Sequence, residues 1–218
     1  MAILFSLLSF YKNPKPCAVG SLVFPDLFLR LPRKPYYDIR RQCNVRHRLP
    51  QFADKIAELK AKGVTPCLAV ILVGENPASV SYVTGKQKAL AEAGMADRSV
   101  HLPADTSEAE LLALIDTLNK DNSVHGILVQ LPLPKHIDEE KVVMAISPAK
   151  DVDGFHPVSV GNLMIGTKGF LPCTPHGILK LIEFSGMDVR GRHAVVIGRS
   201  LVVGRPAALM LMHKNATV

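Results

Sequence analysis

The chain has no run of eighteen uninterrupted apolar residues, the length a bilayer-spanning helix needs. No membrane-embedded role is expected. It has no CxxC pair and no Cys/His cluster at metal-ligand spacing: Cys17, Cys43, Cys67 and Cys173 are scattered. They read as free thiols of a reducing compartment, and no metal site is expected. Internal repeats and low-complexity tracts are missing after residue 50. With 48% hydrophobic residues, the chain has ample material for a packed core and does not read as disordered.

Basic excess is also missing from most of the chain. The net charge of +7 falls entirely on residues 1–50, which hold nine Lys/Arg against two Asp/Glu, whereas 51–218 hold seventeen of each sign. The body therefore offers no basic stripe for a phosphate backbone, and a nucleic-acid partner is not expected. The first fifty residues also carry six of sixteen prolines and no sustained helical or strand period, so they are expected to be a disordered basic extension. Met1 to Phe10 is apolar, but no basic residues precede it as a secretory signal requires. An Arg-rich, acid-poor segment suits an organelle transit peptide; a displaced start or a frame error upstream of Pro50 is the preferred alternative.

What is present from Gln51 onward is an alternation of helices and buried strands. Ala53, Ile56, Ala57 and Leu59 recur at helical spacing, closed by Gly63. The apolar run Cys67 to Val73 predicts a strand covered on both faces. Asn76-Pro77 opens a helix that runs to Gly94. Ser99 to Leu102 is a weaker strand, and Ser107 with Glu110 makes a capping box ahead of Leu111, Leu114, Ile115 and Leu118. Gly126 to Val129 predicts a strand stopped at Gln130 by Pro132 and Pro134, and a short helix follows around Asp138 to Ile146. Thr174-Pro175 caps a helix to about Gly186. His193 to Ile197 reads as a third buried strand, and a helix runs from about Arg205 to His213. This order predicts an α/β protein with parallel sheets, whose ligands bind beyond the carboxyl ends of the strands. Attention therefore goes to Gly74-Glu75-Asn76, Gln130 and Gly198-Arg199-Ser200.

Tyr82 and Lys86, four apart, share one helix face that starts at a strand's carboxyl end. A helix lysine is ordinarily a solvated charge. Sheltered by the ring and the sheet, it would lose part of its charge to desolvation and serve as a proton relay. Gln130 is either a strand-end cap or an uncharged donor and acceptor for that lysine. Asp151-Val152-Asp153-Gly154 places two carboxylates in a loop without the further ligands a metal would need. One carboxylate can instead grip two N–H donors of a heterocycle. Gly198 to Gly204 is neither GxGxxG nor a P-loop, yet a glycine turn, a helix N-terminus and Arg199 together suit a phosphate.

Six stretches stand in a telling order: Val73-Gly-Glu-Asn-Pro-Ala-Ser79, Tyr82-Val-Thr-Gly-Lys86, Gly126-Ile-Leu-Val-Gln-Leu-Pro-Leu-Pro134, Lys150-Asp-Val-Asp-Gly-Phe155, Pro172-Cys-Thr-Pro-His-Gly177 and Gly198-Arg-Ser-Leu-Val-Val-Gly204. Over residues 51–218 the chain resembles the bifunctional methylenetetrahydrofolate dehydrogenase/methenyltetrahydrofolate cyclohydrolase family. The resemblance implies a three-layer α/β folate-binding catalytic domain over 51–155 and an incomplete Rossmann-like NADP-binding domain over 156–218. It implies NADP-dependent oxidation of 5,10-methylenetetrahydrofolate, hydrolysis of the methenyl product to 10-formyltetrahydrofolate, a cytoplasmic location and a homodimer. Carried over by motif, Lys86 is the catalytic lysine, Tyr82 stacks on the folate, Gln130 holds and tunes the lysine, Asp153 binds the pterin and Ser79 lines the pocket. Gly198, Arg199 and Ser200 take the NADP phosphates.

The family pattern also includes a strand before the Gln51 helix and βα units beyond Val218. A chain without them is expected to be only partly folded beyond about residue 160, with NADP binding suffering more than folate chemistry. The alternative function is a non-catalytic product that keeps a folate-binding or interaction surface.

Overall fold

The computed structural model describes residues 49–218. The basic extension, with its expected disorder and its targeting alternative, lies outside the described residues except for Leu49 and Pro50, which begin the first helix. The elements are α1 (Leu49–Ala61), β1 (Cys67–Val73), α2 (Pro77–Ala93), β2 (Ala96–Asp97), β3 (Val100–Leu102), α3 (Glu108–Lys120), β4 (Gly126–Val129), α4 (Glu139–Ala145), α5 (Pro157–Ile165), α6 (Cys173–Phe184) and α7 (Gly204–His213).

β1 is the central strand, and every pairing it makes is parallel. On one edge it meets β4, from Leu68↔Gly126 to Ile71↔Val129; on the other it meets β2 at Cys67↔Ala96 and β3 from Ile71↔Val100 to Val73↔Leu102. Beyond β4 the sheet continues as one parallel bridge, Ile127↔Asp151.

Strand geometry turns the apolar run of β1 into two cores, because successive side chains point to opposite faces. Leu68, Val70 and Leu72 pack with Ile56 of α1 and with Val83, Ala89 and Leu90 of α2. Cys67, Ala69, Ile71 and Val73 pack with Leu111, Ile115 and Leu118 of α3 and Val142 of α4. All seven β1 residues are buried, so the expected three-layer α/β arrangement is present.

Local signals place the ends. The Asn76 side chain accepts from the Ala78 and Ser79 N–H groups at the start of α2, and Gly94 closes it at φ 72°. Ser107 and Glu110 form the full reciprocal capping box on α3. The Asp138 side chain caps α4 by accepting from the Glu140 and Lys141 N–H groups.

Several expectations need correction. On α1 the inward stripe is Phe52, Ile56 and Leu59, whereas Ala53 and Ala57 are exposed; positions 52, 56 and 59 follow one helical stripe and the alanines flank it. α6 starts at Cys173 after Pro172, with no side-chain cap, so Thr174 lies inside the first turn and does not cap it. Helix α5 was not anticipated: His156 caps it by accepting from the Val158 N–H, Pro157 is its first residue and Gly166 closes it at φ 76°.

The third buried strand is also absent as such. Among the described residues, His193 to Ile197 makes a single bridge, His193↔Thr217, and no strand. Ala194 and Val196 turn inward onto a core built from Leu163 of α5, Leu179 of α6 and Met210 and Leu211 of α7. Val195 and Ile197 point the other way and are 69% and 61% exposed. The sequence reads as apolar throughout, but among the described residues only one face finds a covering layer. Among them, too, no helix is long and apolar enough to cross a membrane.

Candidate active site

The carboxyl end of the sheet gathers three of the residues singled out from sequence. Gln130 follows the last residue of β4 and is held to the sheet, its N–H donating to the Ile71 carbonyl at 2.8 Å. Its side-chain amide donates through Nε2 to the Leu131 carbonyl at 2.8 Å. That bond fixes which way the amide faces, leaving Oε1 to accept from Lys86 Nζ at 3.0 Å. Lys86 and Gln130 are both half-buried, and Nζ makes no other hydrogen bond among the described residues. The remaining donors of this amine are thus free for a ligand.

Asp153 is the third member. Burial pushes its carboxyl up to about 6; the nearby Lys86 ammonium works against that rise and the Asp151 charge adds to it. The residue as a whole keeps some exposed surface, so the carboxylate sits at the wall of a partly desolvated place. No hydrogen bond reaches it from the described residues.

The loop carrying Asp153 is held on both sides. Lys150 Nζ donates to the carbonyls of Leu118, Asn119 and Asp121, each at 2.8 Å, which satisfies the carboxyl end of α3. Gly154 has φ +70°, and a Cβ there would stand 3.0 Å from the Phe170 carbonyl oxygen, the Leu171 carbonyl carbon and the Pro172 nitrogen. Only glycine lets the loop and the approach to α6 lie this close.

Ser79, Tyr82 and Lys86 follow one stripe of α2. Tyr82 is 52% exposed and stands one turn from Lys86. Ser79 is only 3% exposed beneath the Asn76 cap, so it contributes to the wall and offers little surface.

Gly198, Arg199 and Ser200 lie apart from this cluster, in the loop before α7. Ser200 Oγ accepts from the Val203 and Gly204 N–H groups at 3.1 and 3.2 Å, so the hydroxyl caps α7. Gly204 lies under the glycine turn; a Cβ there would come within 2.6 Å of the Gly198 carbonyl. Arg205 Nε donates to the Arg199 carbonyl at 3.1 Å. Both arginines are exposed, and neither is ion-paired within the described residues. Two exposed guanidinium groups without a described counter-charge, beside a helix N-terminus, are a setting for phosphate.

Sequence reading missed Lys150, Asp151, Gly154 and Arg205. Lys150 and Asp151 stood inside a quoted motif, but their partners are 29 or more residues away on α3 or depend on the unanticipated α5. Arg205 was signalled by its place one residue after the second glycine.

Two family models match the chain. The family model for the tetrahydrofolate dehydrogenase/cyclohydrolase catalytic domain matches residues 43–153, just over half of the chain. The match begins eight residues before the expected limit at 51. The model for the NAD(P)-binding domain of the same family matches residues 172–218. The bifunctional protein FolD of Exiguobacterium sibiricum is 58% identical over 168 residues, which is 77% of this chain and 61% of that protein. FolD of Paracidovorax citrulli is 61% identical over 166 residues, 76% of this chain and 59% of that protein.

Among solved structures, FolD methylenetetrahydrofolate dehydrogenase/cyclohydrolase from Campylobacter jejuni aligns with a TM-score of 0.75 at 49% identity, covering 79% of this chain and 62% of that one. The Trypanosoma brucei enzyme, solved with NADP cofactor and an inhibitor, aligns with a TM-score of 0.74 at 34% identity, covering 79% and 60%. The chain spans about 60% of the length of the curated relatives it matches. With its parallel sheet, its Lys86–Gln130–Asp153 cluster and both domain matches in order, the chain belongs to the tetrahydrofolate dehydrogenase/cyclohydrolase family.

Proposed function

We propose that the protein binds reduced folates at the Lys86–Gln130–Asp153 cluster, oxidises 5,10-methylenetetrahydrofolate with NADP and hydrolyses the methenyl product to 10-formyltetrahydrofolate. The observation that carries the reading is the 3.0 Å bond from Lys86 Nζ to Gln130 Oε1 beside a carboxylate that no described residue satisfies. In this reading Asp153 accepts hydrogen bonds from N–H groups of the pterin, and Tyr82 lies against the ring. Ser79 belongs to the wall behind them.

NADP supplies the hydride acceptor when bound. Residues 198–205 fit its phosphates: Arg199 and Arg205 are the cations, Gly198 and Gly204 allow close approach, and Ser200 holds the helix end in place. Loss of hydride leaves a delocalised cation on the folate. Gln130 is uncharged and keeps Lys86 Nζ at one side, so the lysine in its neutral amine form can direct water to the methenyl carbon and take up the proton released, becoming the ammonium. The division into a folate domain over 51–155 and a cofactor domain over 156–218, the homodimer and the cytoplasmic location belong to the same proposal, supported by family membership.

The test is turnover of 5,10-methenyltetrahydrofolate by the full chain, run beside an NADP-dependent dehydrogenase assay. Both activities are expected. Hydrolysis alone would uphold the folate half and remove the NADP half. Folate binding without either activity would favour a non-catalytic folate-binding protein, and absence of binding would overturn the reading.

A further inference from the structure

Asp151 has no part in the chemistry proposed above, yet at 2% exposure it is the most enclosed of the buried polar residues described. A carboxylate so far from water needs several partners. It has three: the Phe155 N–H at 3.3 Å, the His156 N–H at 2.9 Å and the Ser159 hydroxyl at 2.7 Å. Its backbone forms the last bridge of the sheet, to Ile127. The side chain therefore ties the sheet edge to the first turn of α5, the helix whose Leu163 packs with Leu179 of α6 and Met210 and Leu211 of α7.

Only Val152 to Phe155 lie between those two anchors. Val152 is fixed in the first core at 1% exposure, and Gly154 is pressed against the backbone of Phe170 to Pro172. Asp153 is the one charged side chain of this short loop, and its charge interacts with that of Lys86.

We propose that Asp151, with Ser159, is a positioning residue for the reaction: it clamps the 151–155 loop to the N-terminus of α5 and thereby fixes the place of the Asp153 carboxylate beside Lys86. The inference rests on the reading of Asp153 as the folate-binding carboxylate. Asp151 also adds a like charge next to Asp153, while the Lys86 ammonium on α2 is the opposite charge facing it. A residue that acted only on overall stability would leave the titration of Asp153 where it is.

The full chain labelled with ¹³C-aspartate provides two readouts: the titration of Asp153, assigned by its loss in Asp153→Asn, and the affinity for 5-formyltetrahydrofolate as a stable folate probe. In Asp151→Asn, affinity is expected to fall about tenfold or more, and the Asp153 midpoint to move about 0.5 pH lower or further as the like charge goes. Ser159→Ala keeps the carboxylate and both amide donors, and covers the case in which Asp151→Asn does not fold. It is expected to weaken binding about threefold or more. An unchanged midpoint in Asp151→Asn, or unchanged affinity in either variant, would overturn the proposal. If Asp153→Asn binds the probe as the parent does, or the parent does not bind it, the folate reading fails instead, and the Asp153 midpoint in Ser159→Ala, where no charge is removed, still decides: a shift supports the clamp and an unchanged midpoint overturns it.

Discussion

Lys86 donates to Gln130 at 3.0 Å, across 44 residues of sequence, and the glutamine can accept only because its own Nε2 is committed to the Leu131 carbonyl. The bond thus joins the helix after β1 to the end of β4 and gives the amine a fixed, uncharged hydrogen-bond partner. Lys86→Met is expected to retain folate binding and to lower hydrolysis by about a hundredfold or more. Gln130→Glu would replace the neutral acceptor with a carboxylate and is expected to cut hydrolysis to a similar extent. Single-turnover hydrolysis beside a binding titration checks both, and full turnover in Lys86→Met would remove the lysine from the mechanism.

Asp153 carries a pH signature. Its carboxyl is raised from 3.8 to about 6 by burial, with Lys86 opposing the rise and Asp151 assisting it. A raised acid binds its proton more readily folded than unfolded, so its charge opposes folding. That cost is nil below 3.8, grows between 3.8 and 6, and is complete above 6. Asp153→Asn should therefore stabilise the unliganded protein by roughly 1–2 kcal/mol at pH 8, with the gain fading by pH 4, while folate affinity falls. Thermal melts across that range decide it; a gain independent of pH would contradict the assignment.

Gly154→Ala combines an unfavourable φ of +70° with three backbone atoms 3.0 Å from the new methyl carbon. None of these atoms belongs to a side chain that can swing away. A loss of about 2 kcal/mol or more is expected in urea unfolding, and folate affinity should fall with it because Asp153 is the preceding residue.

Lys150→Met removes three donors from the carboxyl end of α3 at once. The stem is replaced by an apolar chain of similar length, so the cost is that of the unsatisfied carbonyls and the lost charge at the helix end. Destabilisation of about 2–3 kcal/mol is expected, with amide exchange accelerated first in the last turn of α3. Exchange unchanged there would show that water replaces the ammonium without penalty.

Arg205→Ala should weaken NADP binding about tenfold while leaving folate binding intact. Arg205→Lys should not restore it fully, because a lysine has no Nε–H to hold the Arg199 carbonyl as Arg205 does. Binding isotherms for NADP and for a folate separate the two sites.

The sequence by itself determined the elements whose signals are local. β1 is an unbroken apolar run, α2 lies between Asn76-Pro77 and Gly94, and α3 begins at its capping box; each was legible because the interactions that set it lie within a few residues. Tyr82 and Lys86 were placed on one face by helical period alone. The candidate site was legible as residue types at strand ends, from a general property of parallel sheets.

What only the tertiary structure decided depends on partners far along the chain. The meeting of Lys86 with Gln130, the three carbonyls that take Lys150 and the enclosure of Asp151 follow from contacts across 29 or more residues or from α5. The segment His193 to Ile197 makes the same point in reverse. Ala194 to Ile197 are as apolar as β1, but burial is a property of what packs on each face, and a strand's own sequence cannot supply its covering layer.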